Sequence, residues 1–175
     1  TRLRGMFAIA LWDEPRQRLL LARDRMGKKP LVYALVDGRL AWASEIPALL
    51  QHPGIPRELD PVALDLYLAL QYVPSPRTIF RDVRKLPPAH RMIVERGEVR
   101  IERWWDLPRE ESSLSEEAAE HAVREKVREA TRLRMIADVP LGAFLSGGID
   151  SSVVVGTMAS LSSRPVRTFS IGFEG

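Results

Sequence analysis

Cysteine is absent from all 175 residues. That excludes a disulfide framework and a cysteine-ligated zinc site, and it is compatible with a cytoplasmic location. Long apolar runs are also missing. Nothing approaches the ~18–20 consecutive apolar residues of a membrane-spanning helix, and no secretory signal is read in the sequence. An excess of one charge is lacking too: 26 basic and 23 acidic residues are interspersed and leave a net charge of +3. Nucleic-acid binding calls for Lys and Arg gathered on one face. The nearest approach, Arg23-Asp24-Arg25 with Lys28-Lys29, reads as a solvated turn. Only three histidines occur, His52, His90 and His121, and none stands at a telling spacing from a Ser or Asp, so neither a metal centre nor a triad is indicated. His90 follows a Pro-Pro turn, and His121 falls on the surface of a long helix. What remains is 45% hydrophobic and 28% charged, enough apolar material to fill a core and too much for wholesale disorder.

The first part of the chain reads as antiparallel β with some helix. Residues 5–12 (GMFAIALW) suit a buried strand, and 18–23 (RLLLAR) a second. Residues 31–36 and 39–43 flank Asp37-Gly38 and predict a hairpin. Residues 44–50 fit a short helix capped by Ser44. In 60–71 (DPVALDLYLALQ), Asp60 can cap and Pro61 takes the first helical position, which predicts a firmer helix. Residues 91–95 and 99–105 flank Arg96-Gly97-Glu98 and predict a second hairpin. After Trp104-Trp105, read as a packing pair, 106–112 form a polar linker holding a proline.

A long helix is predicted next, opening at Ser113 with Glu116 as the partner of a capping box. Its apolar stripe is Ala119, Val123, Val127, Ala130 and Leu133, with Glu120 and Arg124 paired on the solvent face. Beyond Pro140 the period changes. Residues 142–145 (GAFL) form a short strand, 146–152 a small-residue loop, 153–161 a buried helix, and 166–173 another strand. Strand, loop, helix and strand make a βαβ unit, which implies a parallel sheet.

That loop, Ser146-Gly147-Gly148-Ile149-Asp150-Ser151-Ser152, carries the chemistry. A polyphosphate is best held where a strand gives way to a helix, because the first-turn amides lack intrahelical partners and the dipole favours an anion. Small residues let phosphate approach the backbone. Gly147 and Gly148 can take positive φ, and the hydroxyls of Ser146, Ser151 and Ser152 can donate to phosphate oxygens. Asp150 makes sense beside phosphate once a divalent cation is added. The alternatives GxxxxGK[ST] and GxGxxG are absent from this segment.

The string SGGxDSS between strand and helix resembles the loop of the ATP pyrophosphatase superfamily. The preceding run 139–146 (VPLGAFLS) and the strand 168–173 (TFSIGF) are similar to those of asparagine synthetases. Residues 5–13, 23–31, 43–45, 72–76, 78–80 and 85–90 resemble the later part of that family's glutaminase domain. Met26 and Ala89 depart from the family's usual aromatic and glycine. The resemblance covers essentially the whole chain.

It implies an α+β N-terminal-nucleophile hydrolase-like glutaminase portion at 1–105 and a linker at 106–112. The start of an α/β adenine-nucleotide α-hydrolase-like domain, with a parallel sheet and a PP-loop, would follow at 113–175. The implied reaction joins aspartate, ATP and glutamine, through β-aspartyl-AMP, to give asparagine, AMP, pyrophosphate and glutamate. The implied cofactors are ATP and magnesium. Ser146, Gly147, Gly148, Asp150, Ser151 and Ser152 would bind pyrophosphate, Asp150 would also meet magnesium, and Phe144 and Ile171 would offer backbone groups to adenine. The partners are these small molecules, with no nucleic acid and no membrane, and a homodimer is the candidate assembly.

The family's glutaminase nucleophile is an N-terminal cysteine, which this chain lacks. Thr1 in place of Met, and an end directly after a strand-like run, lead to the expectation of a segment of a longer polypeptide that is inactive by itself. An N-terminal threonine can act as a nucleophile, but the family segment matching Thr1 lies inside the domain. Two rivals stand beside this reading. One is a related amidotransferase or β-lactam synthetase-like enzyme that adenylates another carboxylate. The other is a non-catalytic nucleotide-binding scaffold.

Overall fold

A computed structural model of the chain describes residues 3–109, 111 and 113–172. Thr1, two positions of the expected linker (Glu110 and Ser112) and Phe173 lie outside the described residues. The chain divides into two compact units, Thr1–Arg109 and Glu110–Gly175. Among the described residues no helix is long and apolar enough to cross a membrane.

The first unit is built on two antiparallel sheets. One holds β1 (Ala8–Asp13), β2 (Arg18–Arg23), β6 (His90–Glu95) and β7 (Glu98–Arg103) in the order β1-β2-β6-β7. The other holds β3 (Val32–Val36), β4 (Arg39–Ala43) and β5 (Val83–Lys85) in the order β4-β3-β5. Both expected hairpins form, each on two left-handed residues: Asp37 and Gly38 with φ 49° and 72°, Arg96 and Gly97 with φ 53° and 82°. Such turns match the twist of the strands they join.

Period-two alternation then sorts the side chains. Leu19, Leu21, Met92 and Val94 meet Leu31, Tyr33, Leu40 and Leu86 in one core. Val32, Ala34 and Val83 face the other way, toward Leu49 and Ile55, where α1 (Ile46–Leu49) closes a second core. Each fully buried aliphatic side chain contributes about 1.5–3 kcal/mol. Three corrections follow. The first strand is an exposed edge, with Leu11 and Trp12 half open to solvent, because β2 is its only partner among the described residues. The N-cap of α1 is Glu45 rather than Ser44, and its side chain makes no capping bond. The strand β5 carries no alternation long enough to read.

The larger correction concerns Asp24, which is buried rather than solvated. Its carboxylate accepts from four backbone amides: Phe7 at 3.3 Å, Met26 at 3.1 Å, Lys28 at 3.0 Å and Lys29 at 2.9 Å. Its backbone joins the same knot, receiving Gly27 N and Ala89 N. Arg23 donates to the carbonyls of Lys29, Leu86 and Gly27 at 2.6–2.8 Å. Trp104 adds a bond from its indole N–H to the Arg23 carbonyl, and its ring stacks on Phe7. Beside it the Arg25 guanidinium lies 5.1 Å over the Trp105 ring.

The helix α2 (Pro61–Leu70) begins as expected, with Asp60 accepting from Val62 N and Ala63 N and Arg77 bonding its other oxygen.

The second unit contains α3 (Glu116–Arg134), β8 (Gly142–Phe144), α4 (Ile149–Leu161) and β9 (Arg167–Phe169). The strands β8 and β9 pair in parallel, as a βαβ unit requires. The cap of α3 is Ser115, not Ser113, and accepts from Ala118 N. This choice puts Glu116 and Glu117 in the first turn and Arg132 and Arg134 in the last, both favourable to the dipole. The Glu120–Arg124 pair forms at 2.6 Å. The expected stripe is only partly covered: Val127 and Leu133 are half-buried, Val123 is exposed, and Thr131 is the buried residue of α3.

Burial pushes the Asp24 carboxyl up, but the amides of Lys29, Lys28, Phe7 and Met26 outweigh it and hold the group below its ordinary 3.8. A depressed folded value means that the contribution to stability is full above the unfolded value and lost as pH falls through the folded one. Asp24→Asn should therefore destabilise the first unit by about 2–4 kcal/mol at neutral pH, since amide donors lose a charged acceptor. The gap between wild type and variant should narrow below about pH 4. Urea unfolding of both proteins across the acid range checks this; a gap unchanged down to pH 2 would count against it.

Candidate functional site

The site is assembled at the carboxyl ends of two parallel strands. In β8, Gly142, Ala143 and Phe144 stand opposite Arg167, Thr168 and Phe169 of β9. Gly142 leaves room for the Phe169 ring: a Cβ there would lie 2.6 Å from a ring carbon, so a larger residue would displace that exposed side chain. Past the strand ends, Leu145 N donates to Phe169 O at 2.8 Å, and the Ser170 hydroxyl donates to Leu145 O at 2.6 Å. Leu145 is thus pinned on both sides just before the chain turns.

The turn itself is shorter than the sequence suggests. The helix α4 starts at Ile149, so only Leu145–Gly148 are loop, and Ile149, Asp150, Ser151 and Ser152 form the first helical turn. Gly147 is left-handed, with φ 82°. Gly148 is not: its φ of −78° and ψ of 162° are extended backbone, as suits an N-cap. No side chain caps α4. Its first intrahelical bond is Ser152 N to Gly148 O at 3.1 Å, so the amides of Ile149, Asp150 and Ser151 precede the helical ladder. Asp150 is the acidic residue of the first turn.

The serines bond inward. Ser151 and Ser152 hydroxyls donate to Gly148 O at 3.1 and 2.8 Å, and the Ser146 and Ser151 hydroxyls stand 3.0 Å apart. Ser146 N reaches Ser151 Oγ at 3.3 Å. All residues from Ser146 to Asp150 are exposed, and the Phe144 and Ile171 side chains are each 76% accessible. Because β8 and β9 run parallel, Phe144 and Ile171 fall at the same end of the sheet as the loop. In open α/β sheets, ligands bind outside the carboxyl ends of the strands.

The expected burial of α4 does not hold. Val153 and Val154 are 48% and 44% exposed, and only Met158 is buried. A mainly apolar cavity of about 460 Å³ lies between α3, β8 and α4, lined by Val127, Thr131, Leu141, Ala143, Val154 and Met158 among others. It stands on the side of the sheet opposite Phe144, since successive strand residues alternate.

None of the three histidines belongs to the loop or to the strands and helix that flank it. His52 accepts from Gly54 N, His90 has Nδ1 2.7 Å from Pro88 O as a turn residue, and His121 is exposed on α3. Among the described residues no group of three or more His, Cys, Asp or Glu could hold a metal ion. The buried carboxylate that sequence reasoning missed is Asp24; its available signal was an acidic residue three positions before Gly27, in a segment dense with backbone donors.

A two-sheet unit followed by a βαβ unit with a small-residue loop makes a two-part α+β chain, and comparison identifies its family. Residues 1–105 match the glutamine amidotransferase domain model and residues 122–175 the asparagine synthase model. The chain belongs to the glutamine amidotransferase domain family, with an asparagine synthase portion following in the same polypeptide. Its resemblance to glutamine-hydrolysing asparagine synthetases extends over nearly its whole length. It is 34% identical over 177 residues to asparagine synthetase [glutamine-hydrolyzing] 3 of Bacillus subtilis, covering 98% of this chain and 29% of that protein. It is 34% identical to asparagine synthetase [glutamine-hydrolyzing] 1 of the same organism, covering 99% and 27%. It is 38% identical to amidase chyE of Penicillium rubens, covering 92% and 24%. The chain spans about a third or less of the length of these relatives.

The two glycines should separate in stability. Gly147→Ala places a Cβ in left-handed backbone and should cost about 1–2 kcal/mol. Gly148→Ala meets nothing closer than Ser146 Oγ at 3.5 Å and should be nearly neutral without ligand. Denaturant melts of the two variants check the contrast, and equal losses would contradict the assigned backbone conformations.

Proposed function

We propose that this chain is the middle segment of a glutamine-hydrolysing asparagine synthetase: the later part of an N-terminal-nucleophile-type glutaminase domain (1–105), a linker (106–112) and the opening of a PP-loop ATP pyrophosphatase-type synthetase domain (113–175). The parent converts aspartate, ATP and glutamine to asparagine, AMP, pyrophosphate and glutamate. It works in the cytoplasm, with a homodimer as its assembly.

The observation that carries the reading is the uncapped N-terminus of α4, where three amides precede the helical ladder and Ser146, Gly147 and Gly148 lead into them. Amides fixed in this way meet negative charge without reorganising, which is the most effective form of electrostatic stabilisation for a leaving pyrophosphate. Gly148 keeps the approach free of a side chain. Ser146, Ser151 and Ser152 exchange their internal bonds for phosphate oxygens. Asp150 is the one carboxylate of the turn and, with phosphate oxygens, fits one position of a magnesium shell; the cation supplies charge neutralisation for the triphosphate. Phe144 and Ile171 contribute backbone groups to adenine, which is consistent with side chains that point into solvent.

A second reading has one observation in its favour. Relatives of equal or higher identity include a protein named as an amidase. Nothing in the loop 146–152 chooses the acceptor carboxylate, so the same loop also fits an enzyme that adenylates another acid.

ATP–pyrophosphate exchange by the full-length parent decides between them. Aspartate-dependent exchange supports asparagine synthesis, exchange indifferent to aspartate supports another acid, and none at all supports a non-catalytic scaffold. In an active parent, Asp150→Asn should lower exchange on the order of 100-fold. Gly148→Ala should lower it by about 10-fold or more while leaving the melt unchanged. Residues 1–175 alone, lacking any cysteine, should hydrolyse no glutamine.

A further inference from the structure

The parallel ladder between β8 and β9 stops half-way through a residue pair. The register sets Gly142, Ala143 and Phe144 opposite Arg167, Thr168 and Phe169, so Leu145 and Ser170 are next in line. In a regular parallel ladder a residue donates its amide to one neighbour of its partner and accepts from the amide of the other. Leu145 does the first: its N–H donates to Phe169 O at 2.8 Å. The second bond, from Ile171 N to Leu145 O, is not formed. The Ser170 hydroxyl donates to that oxygen instead, at 2.6 Å.

A serine side chain thus takes the acceptor that the next ladder amide would use, a competition with secondary structure to which serine is prone. Burial does not force the bond, since Ser170 is exposed and water is an available partner for its hydroxyl. Two results follow. Leu145 stays tied to the β9 side through both its amide and its carbonyl, so the start of the loop is held. Ile171 N is left without an acceptor among the described residues. That donor stands past the carboxyl end of β9, where ligands of open α/β sheets bind, and its own side chain is 76% accessible.

We infer that Ser170 is a positioning residue for the nucleotide base: its hydroxyl ends the β8–β9 ladder one bond early and so keeps the Ile171 N–H available to a ring-nitrogen acceptor of adenine. The inference rests on the proposed function, which puts main-chain groups of Ile171 at the base, and adds the residue that decides whether the donor among them is free. Ser170 acts through Ile171 rather than on the ligand. The phosphate side is affected differently. If the hydroxyl is removed and the ladder closes with Ile171 N, Leu145 O is still bonded to β9, and the loop keeps its anchor. Loss of the hydroxyl therefore falls on the base and spares the phosphates.

Ser170→Ala and Ser170→Thr in the full-length parent test this. Residue-level amide hydrogen exchange without nucleotide should show Ile171 exchanging several-fold more slowly in Ser170→Ala than in wild type, as the ladder closes. Ser170→Thr keeps a hydroxyl and should exchange at the wild-type rate. AMP should bind Ser170→Ala about 3- to 10-fold more weakly through the loss of one hydrogen bond, with Ser170→Thr restoring it. Pyrophosphate should bind all three proteins alike, whereas a merely structural role would move AMP and pyrophosphate together. Unchanged or faster exchange at Ile171 would overturn the ladder-ending role. Slower exchange with unchanged AMP affinity, or with equal losses for AMP and pyrophosphate, would overturn the role toward the base. The proposed function is read separately, from the wild type: failure to bind ATP or AMP there overturns that reading and the base assignment with it, whatever the exchange rates.

Discussion

A carboxylate taken out of water must be met by donors, and in the first unit that requirement falls on Asp24. An ionised group left alone in the interior would cost far more than the whole stability of a domain, so it either neutralises or collects partners. Asp24 collects four backbone amides from two places in the chain, the entry at Phe7 and the turn at 26–29. Arg23 does the complementary work on carbonyls of the same turn and of Leu86. Adjacent residues of opposite charge thus fasten the end of β2, the 25–30 turn and the Pro87-Pro88 turn into one piece. The two sheets share a core just beside this knot, through Leu21, Leu31 and Leu86. Because the knot fixes where β3 and β6 begin, the sandwich depends on it more than on any single apolar contact.

The same chemistry is arranged in the opposite sense at α4. In the first unit, amides close on an anion that the chain itself provides. In the second, they are presented outward, and no side chain is spent on capping them. The hydroxyls beside them fold back on Gly148 O and on one another, which satisfies them without covering the amides. Leaving donors open to water costs little at an exposed helix end, whereas the same donors gain strongly once an anion displaces that water.

The most legible parts of the sequence were those fixed by local rules. Asp37-Gly38 specifies a two-residue hairpin, Arg96-Gly97-Glu98 marks a second one although Glu98 belongs to β7, Asp60-Pro61 specifies a helix start, and the small-residue run after GAFL specifies the strand-to-helix turn. What was misread depended on partners distant in the chain. Burial of Asp24 requires Phe7 and Lys29 together, and no window of sequence contains that pairing as a pattern. The exposure of β1 depends on its edge position, which its apolar run cannot reveal. Ser115 outcompetes Ser113 as a cap because it puts two glutamates in the first turn, a difference of one register step between two plausible serines. At the site, Gly-Gly gave no means of telling which glycine is left-handed; the helix boundary at Ile149 settles it, since an N-cap is extended.

The contrast between the helices explains why the site is readable although its surroundings are not. The charged, amphipathic α3 carries its own solvent face and needs only one covered side. Apolar on every side, α4 nonetheless buries only Met158. If the loop depended on a packed core around α4, its shape would be a property of residues far away. Instead, three devices within the βαβ unit hold it: the left-handed Gly147, the Leu145 N bond to Phe169 O, and the Ser170 hydroxyl on Leu145 O. All involve residues of the βαβ unit itself, and the only long separation is the crossover between paired strands. A turn held within one βαβ unit appears in the sequence as a contiguous run of small residues, and for that reason its place between strand and helix could be read before any fold was known.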